Sequence, residues 1–328
     1  MQSTAETTRS YRVLSHTERE EIMIGRRTGR SLRDIAKTIG RNVSVISREI
    51  KANSTEDGRY QAFWARTRST RRRKLSRSRP RIRDSAIQKY VEQHLKLGWS
   101  PEQIAGRLPI DHPGRRISYE TIYQFIFKTR RDLTQYLQCG RKQRRKRKDP
   151  RQKRVLIPDR VGIEQRPAHI NDRTEHGHWE GDTAVSRQSA HALMILQERS
   201  LGLTFLAKLS QCAPKPMATA VINRLEDLPP ELRRSITFDN GQENRNHTII
   251  RDELKLDTYF CDPYSSWQRG SVENAVGLTR RFWPKKTDYA LISDDEIANV
   301  EWLLNTRPRK RFGFLTPLEY AVSVALTA

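Results

Sequence analysis

Between residues 141 and 154 the chain reads RKQRRKRKDPRQKR, ten basic residues in fourteen. A run that repels itself so strongly cannot pack, so it reads as an exposed linker between separately folded parts. The rest of the charge follows the same division. Residues 1–160 hold 41 Lys and Arg against 16 Asp and Glu, whereas the remainder holds 21 against 22. Nearly all of the formal charge of +24 therefore belongs to the first half, as expected of a half that lies along a polyanion. No basic amphipathic helix with a clean apolar face stands out, which favours nucleic acid over a membrane surface. No run of about 18 apolar residues is present, and the N-terminus lacks the apolar core of a secretion signal. Cys139, Cys212 and Cys261 show no metal-ligand spacing. The expectation is a reduced, cytoplasmic protein without structural disulfides or membrane spans.

Residues 15–52 divide into helices near 17–28, 32–39 and 43–51. Ser31 opens the second with a capping-box-like start, and Ile35, Ala36 and Ile39 form its apolar stripe. The tight turn Gly40-Arg41-Asn42 then leads into the third, so the pair reads as a helix-turn-helix. Arg33, Arg41, Ser44, Ser47, Arg48 and Lys51 are its candidate DNA contacts. A plain helical hairpin with solvated arginines is the competing reading, and the surrounding charge weighs against it. Residues 66–83 carry ten basic residues in eighteen. In WSPEQIAGRLPIDHPGRRISYETIYQFIFK, residues 99–128, Ser100 is a good N-cap, Pro101 suits the first helical position and Gln103 completes a capping box. Ser118 can cap a further helix with Ile122, Phe125 and Ile126 on one face, which makes a second helix-turn-helix-like unit. The expected division is a helix-turn-helix domain over 1–65, a basic linker and helix over 66–98 and the second helical unit over 99–138. A basic linker over 139–165 and a mixed domain over 166–328 complete it.

Beyond residue 165 the pattern changes. Strands are expected at 178–185, 192–198 and 203–209, with a hairpin turn at Ser200-Leu201-Gly202. A helix over 215–228, a strand over 235–238, a helix over 246–255 and a short strand over 258–260 follow. Helices over 268–282 and from 294 to 305 come last. The order β-β-β-α-β-α-β-α is that of a ribonuclease-H-like mixed α/β domain, so the whole chain reads as α+β and multidomain with an all-α N-terminal part.

In that frame Asp182 lies in the first strand, Asp239 ends the fourth and Glu273 sits in the helix after the fifth. Three carboxylates brought together repel one another and should not all ionise at neutral pH. Divalent cations remove that penalty, and two Mg²⁺ or Mn²⁺ ions about 3.5–4 Å apart can clamp the oxygens of an in-line phosphoryl transfer. Glu180 lies on the same strand face as Asp182, and Glu243 is four residues from Asp239, so both compete as ligands. Arg280, two helical turns after Glu273, suits a DNA phosphate. Trp267 and Trp283 bracket that helix and are either core or platforms for an unpaired base. His176 and His178 form an H-x-H, but no Cys or further His completes a recognisable zinc set.

HWEGDT, TFDNGQEN and PYSSWQRGSVENAVGLTRRFWPKKTDY resemble the catalytic blocks of bacterial DDE transposases, specifically those of the insertion-sequence-thirty family. NTRPRKRFGFLTPLEYA resembles that family's C-terminal block, and ISREIKAN and WSPEQIAGRL its N-terminal half. The resemblance runs from about Leu14 to about Ala321. It implies that Asp182, Asp239 and Glu273 are the catalytic and metal-binding triad, and it disfavours Glu180 and Glu243. It also places a basic residue at Arg280. Two departures stand out: no aromatic follows the glutamate of GQEN, and Val276 stands where Asn is often seen. The implied activity is cleavage at terminal inverted repeats followed by strand transfer into target DNA, by at least a dimer, on the bacterial nucleoid. The alternatives are a DNA-binding regulator with a silent catalytic domain and a ribonuclease-H-like nuclease that cuts by structure.

Overall fold

The computed structural model describes residues 13–78, 81–137, 157–263 and 265–326, and the chain divides into two compact units, Met1–Arg81 and Ile82–Ala328. The basic run 141–154 and Cys139 lie outside the described residues.

The first unit contains α1 (His16–Arg27), α2 (Leu32–Thr38), α3 (Val43–Asn53) and α4 (Ala62–Ser78). Ser15, Ser31 and Asn42 cap the first three, and Ser15 shares a full capping box with Glu18. The apolar stripes converge on Ile22, Ile35, Ala36 and Ile46, with Tyr60 and Ala65 closing the core. α1 and α2 approach through Gly25, where a Cβ would lie 2.6 Å from Cγ1 of Ile35. Most of the basic stretch 66–83 is helical rather than a linker. Arg68 and Arg72 of α4 donate to the carbonyls of Ser54 and Ala52, each at 3.0 Å, and so satisfy the C-terminal end of α3.

The second unit begins with α5 (Ser85–Lys96), α6 (Pro101–Asp111) and α7 (Tyr119–Lys128), packed around Val91, Leu95, Ile104, Leu108, Ile122 and Ile126. Ser100, Pro101 and Gln103 start α6, and Ser118 starts α7, as their types and spacing demand. Then come β1 (His178–Val185), β2 (Ala192–Glu198), β3 (Thr204–Leu209), α8 (Pro214–Leu225), β4 (Ser235–Phe238), α9 (His247–Leu254) and β5 (Asp257–Phe260). α10 (Gly270–Thr279), α11 (Asp294–Asn305) and α12 (Pro317–Ala325) follow.

The five strands form one sheet in the order β3-β2-β1-β4-β5. β1, β2 and β3 run antiparallel as consecutive neighbours, while β4 pairs parallel to β1 and β5 parallel to β4. Trp179, Met194, Leu196, Ile236 and Phe238 face α8 and α9, whereas Ala184, Leu193, Ile195 and Leu206 face α10 and α11. This is the ribonuclease-H-like arrangement. α10 is shorter than the helix expected over 268–282. The chain leaves the helix at Arg280, and Trp283 is drawn into the α11 layer, where its Nε1 donates to Glu296 at 2.8 Å.

Candidate active site

In the parallel pairing of β1 and β4, Glu180 stands beside Thr237. The same register carried two residues further sets Asp182 beside Asp239, on one face of strands about 4.8 Å apart. This is the carboxyl end of β4, the side on which open α/β sheets bind ligands. Gly181 lies between Glu180 and Asp182 because a Cβ there would stand 2.7 Å from the Phe238 ring on the opposite face.

Each aspartate has one oxygen held and one turned inward. Oδ1 of Asp182 accepts the Thr183 N–H at 2.8 Å. Oδ1 of Asp239 accepts the Gly241 N–H at 3.0 Å and Nδ2 of Asn244 at 2.9 Å, so the Asn-Gly turn orients the carboxylate that precedes it. The two Oδ2 atoms face Arg269, buried just before α10, at 3.9 Å from Asp182 and 3.6 Å from Asp239. Both separations exceed a hydrogen bond, and among the described residues neither Oδ2 accepts one. Nη1 of Arg269 donates instead to the Gly181 carbonyl, which fixes the guanidinium to β1. Arg269 therefore neutralises the pair without occupying its free lone pairs.

Burial pushes the Asp182 carboxyl above the usual carboxylate range; Arg269, the Thr183 N–H and Arg280 pull against this, and Asp239 adds to it. Glu243 is raised too, first by burial and then by the charges of Asp239 and Asp182. Its carboxylate curls back over its own turn, where a Cβ on Gly241 would meet it at 2.5 Å. Glu180, level with Asp182 in the sequence reading, has a different setting. It is 1 % exposed, pairs with Arg199 at 2.8 Å and accepts the Val272 N–H at 2.9 Å. Both of its oxygens are thereby spent, Oε1 on the Arg199 guanidinium and Oε2 on holding the first turn of α10 against β1.

Glu273 follows Val272 on that first turn and is exposed, on the same stripe as Gly277 and Arg280. The structure links Asp182 and Asp239 through Arg269; among the described residues no hydrogen bond or ion pair joins Glu273 to them. Arg280 lines a cavity of about 460 Å³ at the end of β1, together with Thr183, Arg187, Trp283, Lys285 and Tyr289. Trp283 is a core residue, whereas Trp267 is 71 % exposed.

In the first unit Arg33, Ser44, Ser47, Arg48 and Lys51 are exposed, the last four along one face of α3. Arg41 is different. Its Nε donates to Glu18 at 2.8 Å, so it joins α1 to the turn before α3.

Sequence reading missed Arg269 and Asn244. The only available signal for Arg269 was physical: two carboxylates on adjacent strands need a buried cation close by, and QRG leads directly into the Glu273 helix. The donor set suits a hard divalent cation. It is made of carboxylate oxygens whose partner oxygens are already tied down, as outer-shell contacts do for metal ligands.

The fold and site define a helix-turn-helix protein with a ribonuclease-H-like core and paired carboxylates at adjacent strand ends. A family profile described as a helix-turn-helix domain matches residues 10–53. The chain is 34 % identical over 327 residues to the transposase for insertion sequence element IS1086 of Cupriavidus metallidurans, covering 97 % of this chain and 96 % of that one. It is 36 % identical to the transposase for element IS4351 of Bacteroides fragilis, over 88 % of this chain and 89 % of that one. Transposase InsI for element IS30A of Escherichia coli is 35 % identical, over 98 % and 87 %. The chain belongs to the IS30 family of transposases. Among solved structures it resembles the catalytic core domain of BIV integrase, with 19 % identity and a TM-score of 0.35 over 46 % of this chain and 97 % of that one.

Proposed function

We propose that the protein is the transposase of an insertion sequence, which binds the element's terminal inverted repeats and cuts and joins DNA strands with Mg²⁺ or Mn²⁺. The observation that carries this reading is the pair of aspartates on β1 and β4, each with one oxygen held and the other free beside Arg269. Asp182, Asp239 and Glu273 would hold the ions. Bound there, two such cations supply charge neutralisation and Lewis acidity for in-line displacement at a phosphodiester.

The chain's own residues set the geometry. Arg269 keeps the aspartates together, and Glu180 fixes the helix that carries Glu273. Arg280 and the basic cavity wall take a phosphate of the DNA end. The reaction is hydrolysis at the element terminus, which frees a 3′-hydroxyl, followed by attack of that hydroxyl on target DNA. Positioning and charge suffice, without a covalent enzyme intermediate. In the first unit the exposed face of α3 enters the major groove with Ser44, Ser47, Arg48 and Lys51, and Arg33 reaches a phosphate. Arg41 contributes by holding the turn. Joining two element ends requires at least a dimer on the DNA.

Cleavage of DNA spanning the element's own terminus, in Mg²⁺, tests the reading with wild type and Asp239→Asn. The variant should still bind the terminus and lose cutting by at least about 10³-fold. Equal cutting by both proteins rules out a metal role for Asp239. Binding without cutting by the wild type, even with Mn²⁺ and paired ends, favours a regulator.

A further inference from the structure

At the other end of β1, four residues from Asp182 and so about 13 Å away along the strand, a second set of ligand-type groups converges. Sequence spacing gave His176 and His178 no further partner, and the fold supplies one from upstream. His176 turns to Ser200. His178 instead meets Glu175 and His169, and the ligand atoms of the three residues lie within 4.8 Å of one another. Oε2 of Glu175 is 2.8 Å from Nε2 of His178 and 3.0 Å from Nε2 of His169.

We propose that His169, Glu175 and His178 bind one divalent transition ion, with Zn²⁺ the best match, which ties the segment leading into β1 to the starts of β1 and β4. Two imidazoles and one carboxylate, with a position open to solvent, are a zinc-type donor set; Mg²⁺ prefers oxygen donors. At metal–ligand distances near 2.0–2.1 Å, tetrahedral ligand atoms stand about 3.3 Å apart. The Glu175 oxygen and each imidazole nitrogen need separate by only a few tenths of an ångström, and His169, with its side chain 61 % exposed, can swing to set its distance from His178.

The surroundings are those of a metal ligand set. Nδ1 of His178 is 2.8 Å from the Ser235 hydroxyl on β4, which orients the ring and presents Nε2 to the cluster. Arg234 takes the other oxygen of Glu175 at 3.0 Å and leaves Oε2 to the imidazoles. Gly177, at φ +88°, packs where a Cβ would meet the Glu231 carbonyl at 2.5 Å, so the loop bearing Glu175 is fixed in place.

The test uses full-length protein stripped with a chelator, titrated with Co²⁺ in excess Mg²⁺ and read by visible absorption. Zn²⁺ then serves as competitor and as stabiliser in thermal melts. His169→Ala removes the exposed ligand and leaves buried His178 with Ser235; Asp182→Asn controls for binding at the carboxylate pair. We expect one tetrahedral Co²⁺ per chain in wild type and Asp182→Asn, displaced by Zn²⁺, and at least tenfold weaker binding in His169→Ala. Saturating Zn²⁺ should raise the Tm of wild type by about 5 °C and leave His169→Ala unmoved. The site is overturned if wild type gives no such spectrum, if His169→Ala binds equally well, or if Asp182→Asn abolishes binding.

Discussion

Glu180 and Asp182 are two residues apart on one strand face, and the fold gives them opposite tasks. Alternation cannot separate them, because what distinguishes them is the partner each one meets. Arg199 arrives from the end of the neighbouring strand and Val272 from the helix that packs across it. Nothing local to HWEGDT announces either partner. Replacing Glu180 by Ala leaves Arg199 buried without its counter-charge and α10 without its anchor. The variant should lose about 3–5 kcal/mol in chemical denaturation. Asp182→Asn should behave in the opposite sense. Desolvation of the charged carboxyl outweighs the attraction of Arg269, so the neutral isostere should melt at or slightly above the wild-type temperature while cutting fails. If the two variants were equally destabilised, the division between a structural and a site carboxylate would be wrong.

Among the elements, what the sequence made legible is what the backbone decides locally. Ser31, Ser100 and Ser118 cap helices where their spacing says they should, and β1, β2 and β3 lie where alternation and turn residues put them. Element ends set by tertiary packing were less visible, as at α10, which stops where Trp283 enters the core. Arg41 is a similar case: a turn arginine suited to phosphate is committed to Glu18. That partnership has a pH signature. Glu18 is held at about 2, well below its ordinary value of 4.5, first by the hydrogen bond from Arg41. Because the folded value is the depressed one, the contribution is complete above the unfolded value and is lost as pH falls towards 2. Glu18→Gln should therefore cost about 1–2 kcal/mol at pH 7. Urea midpoints compared at falling pH should show the gap to wild type closing between about pH 4.5 and pH 2. A gap that stays constant with pH would mean the pair contributes no charge-dependent stability.

For the whole molecule, the charge boundary near residue 160 does not coincide with a structural one. The sequence reading set the second helical unit apart from the sheet, yet α5–α7 and the sheet fall within the same compact unit. The join was not legible because its partners stand more than 200 residues apart. Gln103 donates to the Pro308 carbonyl at 2.7 Å and accepts from Arg307 at 3.0 Å. Arg107 binds both oxygens of Glu319, the residue that also caps α12. The Phe314 ring fills the space over Gly106, 2.3 Å from where a Cβ would stand. The C-terminal block NTRPRKRFGFLTPLEYA thus works as a strap that runs from the end of α11 across α6. Arg107→Ala should cost only about 1 kcal/mol, since Glu319 is partly exposed and water replaces part of the pairing. Its effect should instead be coupled. Amide hydrogen exchange in α6 and α12 should speed up together, while β1, β2 and β4 keep wild-type protection. Faster exchange in α12 alone would make the strap a local cap, and the helical layer would then be held to the core by other contacts.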